Sequence, residues 1–506
     1  MRNERTIPML LIAALLLMPE TAAAPSHCAA PADAVEPALL ERVVGVREGI
    51  GRSPQKVTTS SPQAQAFSDQ GLALLHSYHW IEAARAYHQA LRHDPDCAMA
   101  WMGLARAEQG LDRTAQASAA IEKAKSLAPK VSPRERRFIE LRAQQMEAQS
   151  APAGEQAGKH EAYKRAIEAA LAEYPDDAEL WILRGNTEEP GPWGRGQFGG
   201  VASIAYYETA LVRSPGHFGA HHYLVHSFEN VGRHAEAAVH GKIYAEAVPG
   251  VAHAQHMYGH VLPRLGRWDE ARAQLEKADV IERRYAEAEK IRPGDDWHHI
   301  HNLQLLGWVY VRQGRYADAE KTFRRAFDTP VRMARSGFQQ ASLAEFYLLR
   351  GRLDDALKAA RALSDRAPVA RTAGAAVEGE VLLAMGQKSQ AREALARARK
   401  SYDAAIAGVT SSDARYVDYF LSPYIRQLEA VIGLRDGGDG RELVAMADDL
   451  AANPRFDAWG EGLFRLERVA TDADRAGKSV LAAEVRERMR KIDPDYRPQM
   501  AVTAGR

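Results

Sequence analysis

The stretch AQAFSDQGLALLHSYHWIEAARAYHQALRHDP, residues 64–95, decides the fold because its pattern of small and large residues recurs farther along the chain. Small residues stand at its eighth and twentieth places and proline at its thirty-second, namely Gly71, Ala83 and Pro95. The unit that starts at Ala98 carries them 34 residues later as Ala105, Ala117 and Pro129. Small residues let two helices cross closely, and proline ends the second helix. The stretch therefore predicts a repeating helical hairpin.

The same places recur along most of the chain. Further units end at Pro175, Pro215 and Pro249. Others place small residues at the crossing, as in the pairs Gly259 and Ala271, Gly307 and Ala319, Ala344 and Ala356, and Gly379 and Ala391. A 34-residue period of this kind is typical of tetratricopeptide repeats (TPRs). We predict an all-α fold, a TPR α-solenoid in which antiparallel helix pairs form a right-handed superhelix with a concave working face.

The repeats and their interruptions divide the chain into segments. We assign residues 1–24 to a signal peptide, 25–63 to an N-terminal arm, 64–131 to two repeats, 132–217 to repeat-like units with loop inserts, 218–333 to His-rich repeats, 334–405 to further repeats and 406–506 to degenerate repeat-like helices and a C-terminal cap. Three stretches break the pattern. Residues 150–160 read as a flexible loop, 191–200 as a Gly-rich loop near the groove mouth, and 433–440 as a break that a helix would not tolerate.

The first residues have the pattern of an export signal. Arg2 and Arg5 precede the apolar run 8–18, and small residues follow at Ala22–Ala24. The run is shorter than the roughly 20 residues that span a bilayer, so we expect no transmembrane segment after signal cleavage. The sequence thus predicts a periplasmic or secreted protein.

Composition excludes several classes of function. The chain has 506 residues, with 66 Lys and Arg against 66 Asp and Glu, which argues against nucleic acid as a partner. Its 46% hydrophobic content excludes a disordered chain. The 2 cysteines, Cys28 and Cys97, can form at most one bridge, and we interpret Cys97 as a packing residue.

Histidines are concentrated in the central repeats, where twelve of the 18 lie between residues 217 and 301. They form stripes three and four residues apart, which put each stripe on one helix face. The stripes are His222, His226 and Glu229, then His253, His256 and His260, then His298 and His301. Equivalent repeat places predict that the stripes face one another across the concave groove, on helices about 8–10 Å apart. His76 and His79 lie several repeats earlier and are interpreted as structural.

Three interpretations of the stripes remain open. The histidines are ordinary core or surface residues, or they line a metal-free groove that binds a protein, a peptide or a small ligand, or they bind a transition metal. Imidazole and carboxylate ligands admit Zn, Fe, Cu or Ni. The candidate metal ligands are His222, His226, Glu229, His253, His256, His260 and His301, and the further groove residues are His217, His298 and Gln304.

Four stretches resemble a little-characterised bacterial TPR family with His-rich repeats. They are DPDCAMAWMGLA (94–105), HFGAHHYLVHSFE (217–229), HAQHMYGH (253–260) and HNLQLL (301–306). The resemblance covers residues 67–328 and implies the fold and the histidine constellation, without an activity. It carries over to His217, His222, His226, Glu229, His253, His256, His260 and His301. Phe218 stands where the family usually has proline, and Gln304 stands where it usually has its last histidine. The second departure puts in doubt a metal site that uses position 304.

Enzymatic motifs are lacking. The chain has no HExxH, G-x-S-x-G or Walker sequence, so zinc-protease, hydrolase and nucleotide chemistry have no local support. A catalytic metal needs about three protein ligands and an open position, with Glu229 as a ligand or general base. We therefore predict an exported TPR protein with a His-rich metal-binding and ligand-binding groove. A metal-free interaction scaffold of the cell envelope and a metal-dependent oxidoreductase or hydrolase are the alternatives.

Overall fold

The computed structural model describes residues 35–189, 194, 196–295, 297–331, 336–409, 411–452 and 461–498. Within these ranges the regular elements are helices, and none of the helices is both long and apolar enough to cross a membrane. The α-helices are α1 Pro37–Leu40, α2 Pro62–His76, α3 Trp80–His93, α4 Ala98–Gly110, α5 Thr114–Leu127, α6 Pro133–Ser150, α7 Ala153–Glu173, α8 Ala178–Asn186, α9 Val201–Arg213, α10 Phe218–Asn230, α11 His234–Ala247, α12 Ala252–Val261, α13 Trp268–Glu289, α14 Trp297–Arg312, α15 Tyr316–Asp328, α16 Ser342–Leu349, α17 Leu353–Arg361, α18 Pro368–Ala384, α19 Lys388–Ala407, α20 Ser411–Arg435, α21 Arg441–Ala452, α22 Glu461–Arg475 and α23 Ser479–Ile492. The predicted signal peptide and Cys28 lie outside the described residues.

Successive helices pack as the repeat pattern predicts. The pairs α2–α3, α4–α5, α10–α11, α12–α13 and α14–α15 are each in close contact. At the eighth place, a Cβ on Gly71 would lie 2.6 Å from the ring of Tyr87, and one on Gly307 would lie 2.3 Å from the ring of Phe323. The small residue therefore leaves room for an aromatic ring of the partner helix. The all-α TPR fold is confirmed.

The turn inside each pair has a fixed geometry. Gly232, between α10 and α11, takes a left-handed φ of 76°, and the next amide, Arg233 N, donates to Phe228 O at 2.8 Å. Such a turn satisfies the last carbonyls of the first helix. The equivalent place of the first repeat holds Tyr78, which takes a φ of 56°. A non-glycine residue in this conformation costs about 1–2 kcal/mol, so another interaction must favour Tyr78.

The described part of the N-terminal arm packs into the repeat array. Arg47 N donates to Gln70 Oε1 at 2.7 Å, and Thr58 N donates to Glu135 Oε1 at 2.6 Å. Between these contacts, Gly49 O accepts from Gly250 N at 2.8 Å. The arm therefore links α2, α6 and the turn before α12.

The predicted interruptions differ from the observed ones. The flexible loop at residues 150–160 is wrong, since α6 continues to Ser150 and α7 begins at Ala153. Ala, Glu, Gln and Lys in this stretch favour a helix, and only Pro152 interrupts it. The break at 433–440 is confirmed but shorter, because α20 continues to Arg435. In the Gly-rich insert, residues 196–200 have no helix, while residues 191–193 and 195 lie outside the described residues.

Candidate metal centre

Neighbouring helices bring three imidazoles to one point. His222 and His226 project from α10 and His253 from α12. The Nε2 atom of His222 lies 3.2 Å from Nε2 of His226 and 3.0 Å from Nε2 of His253. A tetrahedral zinc ion with bonds of about 2.0–2.1 Å holds its nitrogens about 3.3–3.4 Å apart. These residues, here called the first triad, therefore have nearly the spacing of metal ligands.

Hydrogen bonding assigns the tautomer of His222. Its Nδ1 lies 2.6 Å from the backbone oxygen of His76, which can only accept, so Nδ1 carries the hydrogen. Burial lowers the pKa of His222 to about 3, and the ring is neutral at pH 7. Its Nε2 lone pair therefore points at the nitrogens of His226 and His253. One lone pair accepts one well-aligned hydrogen bond, whereas one metal ion could engage all three nitrogens.

His256, His260 and His301 form a second triad, whose ligand nitrogens all lie within 4.8 Å of one another. The side chain of Asn302 supports it. Asn302 Nδ2 donates to Leu275 O at 3.0 Å, which orients the amide, and its Oδ1 lies 3.1 Å from Nδ1 of His256. His256 therefore donates from Nδ1 and keeps the lone pair on Nε2. Burial, and secondarily the charge that His298 would carry, lowers its pKa well below the ordinary value.

Glu229 stands behind the second triad. Its Oε1 lies 2.7 Å from Nδ1 of His260, and its side chain is buried. A carboxylate at this distance can either support a histidine ligand or bind a metal ion directly. The structure thus brings Glu229 next to a histidine of the second triad, and its role as a ligand or general base stays a prediction.

His298 lies between the two triads. Its ring centroid is 4.7 Å from that of His253 and 4.6 Å from that of His256. Its Nδ1 is 3.5 Å from a carboxylate oxygen of Glu282. Edge-to-face ring contacts of His298 therefore connect His253 of the first triad with His256 of the second.

A third group contains His76, Glu179 and His217, and its nitrogens are already engaged. Glu179 Oε1 lies 3.0 Å from Nε2 of His76 and 3.1 Å from Nε2 of His217. The outer nitrogens contact the Tyr223 hydroxyl at 3.1 Å and accept from Ala220 N at 3.1 Å. All four ring nitrogens have a protein partner, so in this group, called the Glu179 group, a metal ion would have to displace existing hydrogen bonds.

Charge stabilises the Glu179 group. Burial opposes ionisation of Glu179, yet its two histidines hold its pKa well below the ordinary value. Burial likewise opposes the charged form of His217, but the bond to Glu179 overcomes it and raises the pKa of His217. His217, predicted as a groove residue, belongs to this group.

The predicted open groove is closed at the histidines. His222 is 0% exposed, His256 1% and His253 3%. The reason is that α2 packs against α10 and places Tyr78 over the first triad, with ring centroids 4.6 Å from His222 and 5.3 Å from His253. Gln304 is buried on α14, outside both triads. The histidines thus line an interior and not a surface groove.

Sequence reasoning missed three residues of this region. Asn302 directly follows His301 in the quoted stretch, and its position was the available signal. His76 was interpreted as structural, yet its carbonyl fixes the tautomer of His222. Glu179 belongs to α8, and no local pattern connects it to His76, 103 residues away.

Comparison with known proteins agrees with the fold. A family model described as tetratricopeptide repeat matches residues 68–132 and 305–371. No curated protein sequence matches the chain. Similar solved structures include a tetratricopeptide repeat protein from Parabacteroides merdae (14% identity, 56% of this chain and 97% of that chain, TM-score 0.37) and yeast Tom70 (13%, 84% and 92%, 0.40). A Rap protein complexed with competence and sporulation factor is also similar (12%, 86% and 98%, 0.34).

Proposed function

Because the chain is a tetratricopeptide repeat protein, whose repeats indicate a protein-interaction scaffold, we propose that this scaffold is specialised to bind transition-metal ions at its two histidine triads. The observation that supports the proposal is the approach of the Nε2 atoms of His226 and His253 to within 3.0–3.2 Å of Nε2 of His222. The bond from His222 Nδ1 to the carbonyl of His76 leaves the lone pair of His222 on Nε2. Zn, Fe, Cu and Ni all accept such nitrogen ligands. The residue 1–24 pattern supports export to the periplasm.

Each triad leaves a fourth position of a tetrahedral ion open, as catalytic zinc sites do. The triad histidines of α10 and α12 are nevertheless at most 5% exposed, which restricts the approach of a substrate. We therefore propose a site that holds a metal ion as a bound component. A metal-free interaction scaffold is the alternative.

Elemental analysis of the untagged protein tests the proposal. One histidine of each triad is removed in the double variant His226→Ala, His260→Ala. The matched control is His221→Ala, His240→Ala, a pair whose Nδ1 atoms lie 2.8 Å apart outside both triads. We expect about one equivalent of metal per triad in the wild type and in the control, and loss in the triad variant with unchanged helicity.

Two results would contradict the proposal. The first is a wild-type protein that holds no metal even after reconstitution with Zn²⁺, Cu²⁺, Ni²⁺ and Fe²⁺. The second is equal loss of metal in the triad variant and in the control, which would show that the ions bind elsewhere.

A further inference from the structure

A narrow crevice lies between the N-terminal arm and the helices that carry the buried histidines. Arg47 and Ile50 of the arm form one side of it, and Glu282 of α13 lies in the wall beside residues 250–252, where α12 begins. Its free volume of about 10 Å³ is no more than one water molecule needs. A hydrated metal ion therefore does not fit into the crevice while the arm is in place.

The inner end of the crevice reaches the histidines. Glu282 is 2% exposed, and its Oε2 lies 3.5 Å from Nδ1 of His298. His298 contacts His253 of the first triad and His256 of the second through its ring. Ala252, which lines the crevice, directly precedes His253 in the chain. A carboxylate and imidazoles, which are ligands of transition metals, thus continue inward from the crevice to both triads.

Residues 42–51, here called the strap, cover the crevice and have no regular secondary structure. Of these ten residues only Val44 and Ile50 are buried. Backbone hydrogen bonds attach the strap, since Arg47 N donates to Gln70 Oε1 at 2.7 Å and Gly49 O accepts from Gly250 N at 2.8 Å. Segments with few buried apolar side chains open locally at a lower free energy than packed helices do. The strap can therefore lift while the helices beneath it stay folded.

The side chain of Arg47 closes the mouth of the crevice. Its guanidinium lies 3.5 Å from the carboxylate of Glu82 on α3, and its Cζ lies 5.3 Å from the ring centroid of Tyr285 on α13. The side chain thus bridges two helices on opposite sides of the mouth. Because Arg47 belongs to the strap, a movement of the strap removes this bridge.

We infer that the strap is a lid that controls the exchange of metal ions between solvent and the triads. The inference rests on the proposed metal function and adds a route by which the buried sites are filled. The triad histidines of α10 and α12 are at most 5% exposed, so an ion reaches them only through a transient opening. A lid that changes only the barrier alters the rates of metal association and dissociation by the same factor and leaves the equilibrium affinity unchanged.

Two rate measurements on the full chain test the inference. The variant Arg47→Ala, Ile50→Ala removes the strap side chains that line the crevice and keeps the backbone hydrogen bonds of the strap. The matched control is Arg42→Ala, Val46→Ala, which changes exposed strap residues outside the crevice wall. Thermal unfolding verifies that both variants are folded.

The first measurement needs no metal. Diethyl pyrocarbonate, a small electrophile, modifies accessible neutral imidazoles, and mass spectrometry follows the modification of His253 and His298 in the metal-free protein. The second measurement follows the release of Zn²⁺ from the loaded protein to an excess of chelator, and competition with the chelator gives the equilibrium affinity.

We expect modification and zinc release to be at least about tenfold faster in Arg47→Ala, Ile50→Ala than in the wild type and the control, at unchanged zinc affinity. Unchanged rates of modification and release would overturn the inference. A weaker zinc affinity at an unchanged association rate would also overturn it, because the strap would then support the ligands. A folded wild type that binds no metal ion would contradict the proposed metal function, and the modification rates would still show whether the strap controls access to the histidines.

Discussion

The first triad and the Glu179 group meet at His76, yet they use histidine in opposite ways. In the Glu179 group a carboxylate and protein hydrogen-bonding groups engage every ring nitrogen. In the first triad the backbone carbonyl of His76 holds one nitrogen of His222 and directs its lone pair at two other rings. The comparison teaches that the placement of hydrogens, and not the number of histidines, distinguishes a candidate metal site from a fully hydrogen-bonded core.

The largest expected effect compares one histidine from each group. His222→Ala should weaken Zn²⁺ or Cu²⁺ binding at the first triad by more than about 100-fold, since loss of a ligand exceeds the 10–100-fold effect of losing its support. His217→Ala should leave metal affinity nearly unchanged. Competition with a chromophoric chelator measures both. A similar loss in His217→Ala would break the distinction.

A smaller effect is expected at the support of the second triad. Asn302→Ala removes the acceptor that orients His256, so metal affinity there should fall by about 10–100-fold. The measurement is made in a His222→Ala background, in which the second triad dominates binding. The control Asn230→Ala changes an asparagine that donates to Gln197 O and Gly199 O. Equal effects of the two variants would show that His256 needs no orientation.

The two histidines His222 and His217 should also respond oppositely to pH. In the metal-free protein His222 and His253 have depressed pKa values, so the unfolded chain binds protons below about pH 6.5 that the folded chain does not. The free energy of unfolding should therefore fall with acidification, by about 1.4 kcal/mol per pH unit for each such proton. Urea unfolding at stepped pH measures the slope, and His222→Asn should reduce it.

His217 has the opposite sign. Its raised folded pKa contributes stability that is present below about pH 6.5 and is lost as pH rises through the folded value. In His217→Asn the free energy of unfolding should no longer decrease as the pH rises through the folded pKa of His217. The decrease on acidification that His222 causes should remain. The opposite result would be a change in the acid-side pH dependence of the free energy of unfolding in His217→Asn and none in His222→Asn. It would show that His217, and not His222, causes the loss of stability in acid.

The smallest effect concerns Tyr78, which covers the first triad from a left-handed turn. Tyr78→Gly and Tyr78→Ala both remove the ring, and only glycine relieves the backbone. The glycine variant should therefore be more stable than the alanine variant by about 1 kcal/mol, while both are less stable than the wild type. Thermal unfolding measures the difference, and equal stabilities would show that the turn carries no strain.

Much of the fold follows from local sequence. The 34-residue pattern predicted the helix pairs because each repeat contacts mainly its neighbours. The stripes likewise predicted which histidines of α10, α12 and α14 approach one another. The start of α7, residues 153–160, was predicted as a loop because of its small and polar residues, although most of them favour a helix.

The closed interior could not be predicted in this way. It depends on α2 packing against α10, and repeat periodicity contains no information about contacts between repeats far apart in sequence. The support of His222 by His76 arises from this packing, and the bond between His76 and Glu179 joins α2 to α8 in the same way. A residue's repeat place therefore indicates the direction of a side chain and not whether another helix covers it.

The hydrogen bond from His222 to the carbonyl of His76 joins residues separated by 146 positions. Arrays of nearest-neighbour repeats lose their ends one unit at a time, since each unit depends only on the next. Here the first repeat and the fifth helix pair are in direct contact. The chain between them forms a long loop, and the entropic cost of closing it slows folding. The amides of α2 and α10 should consequently exchange with solvent at one common rate, as parts of a single cooperative opening unit.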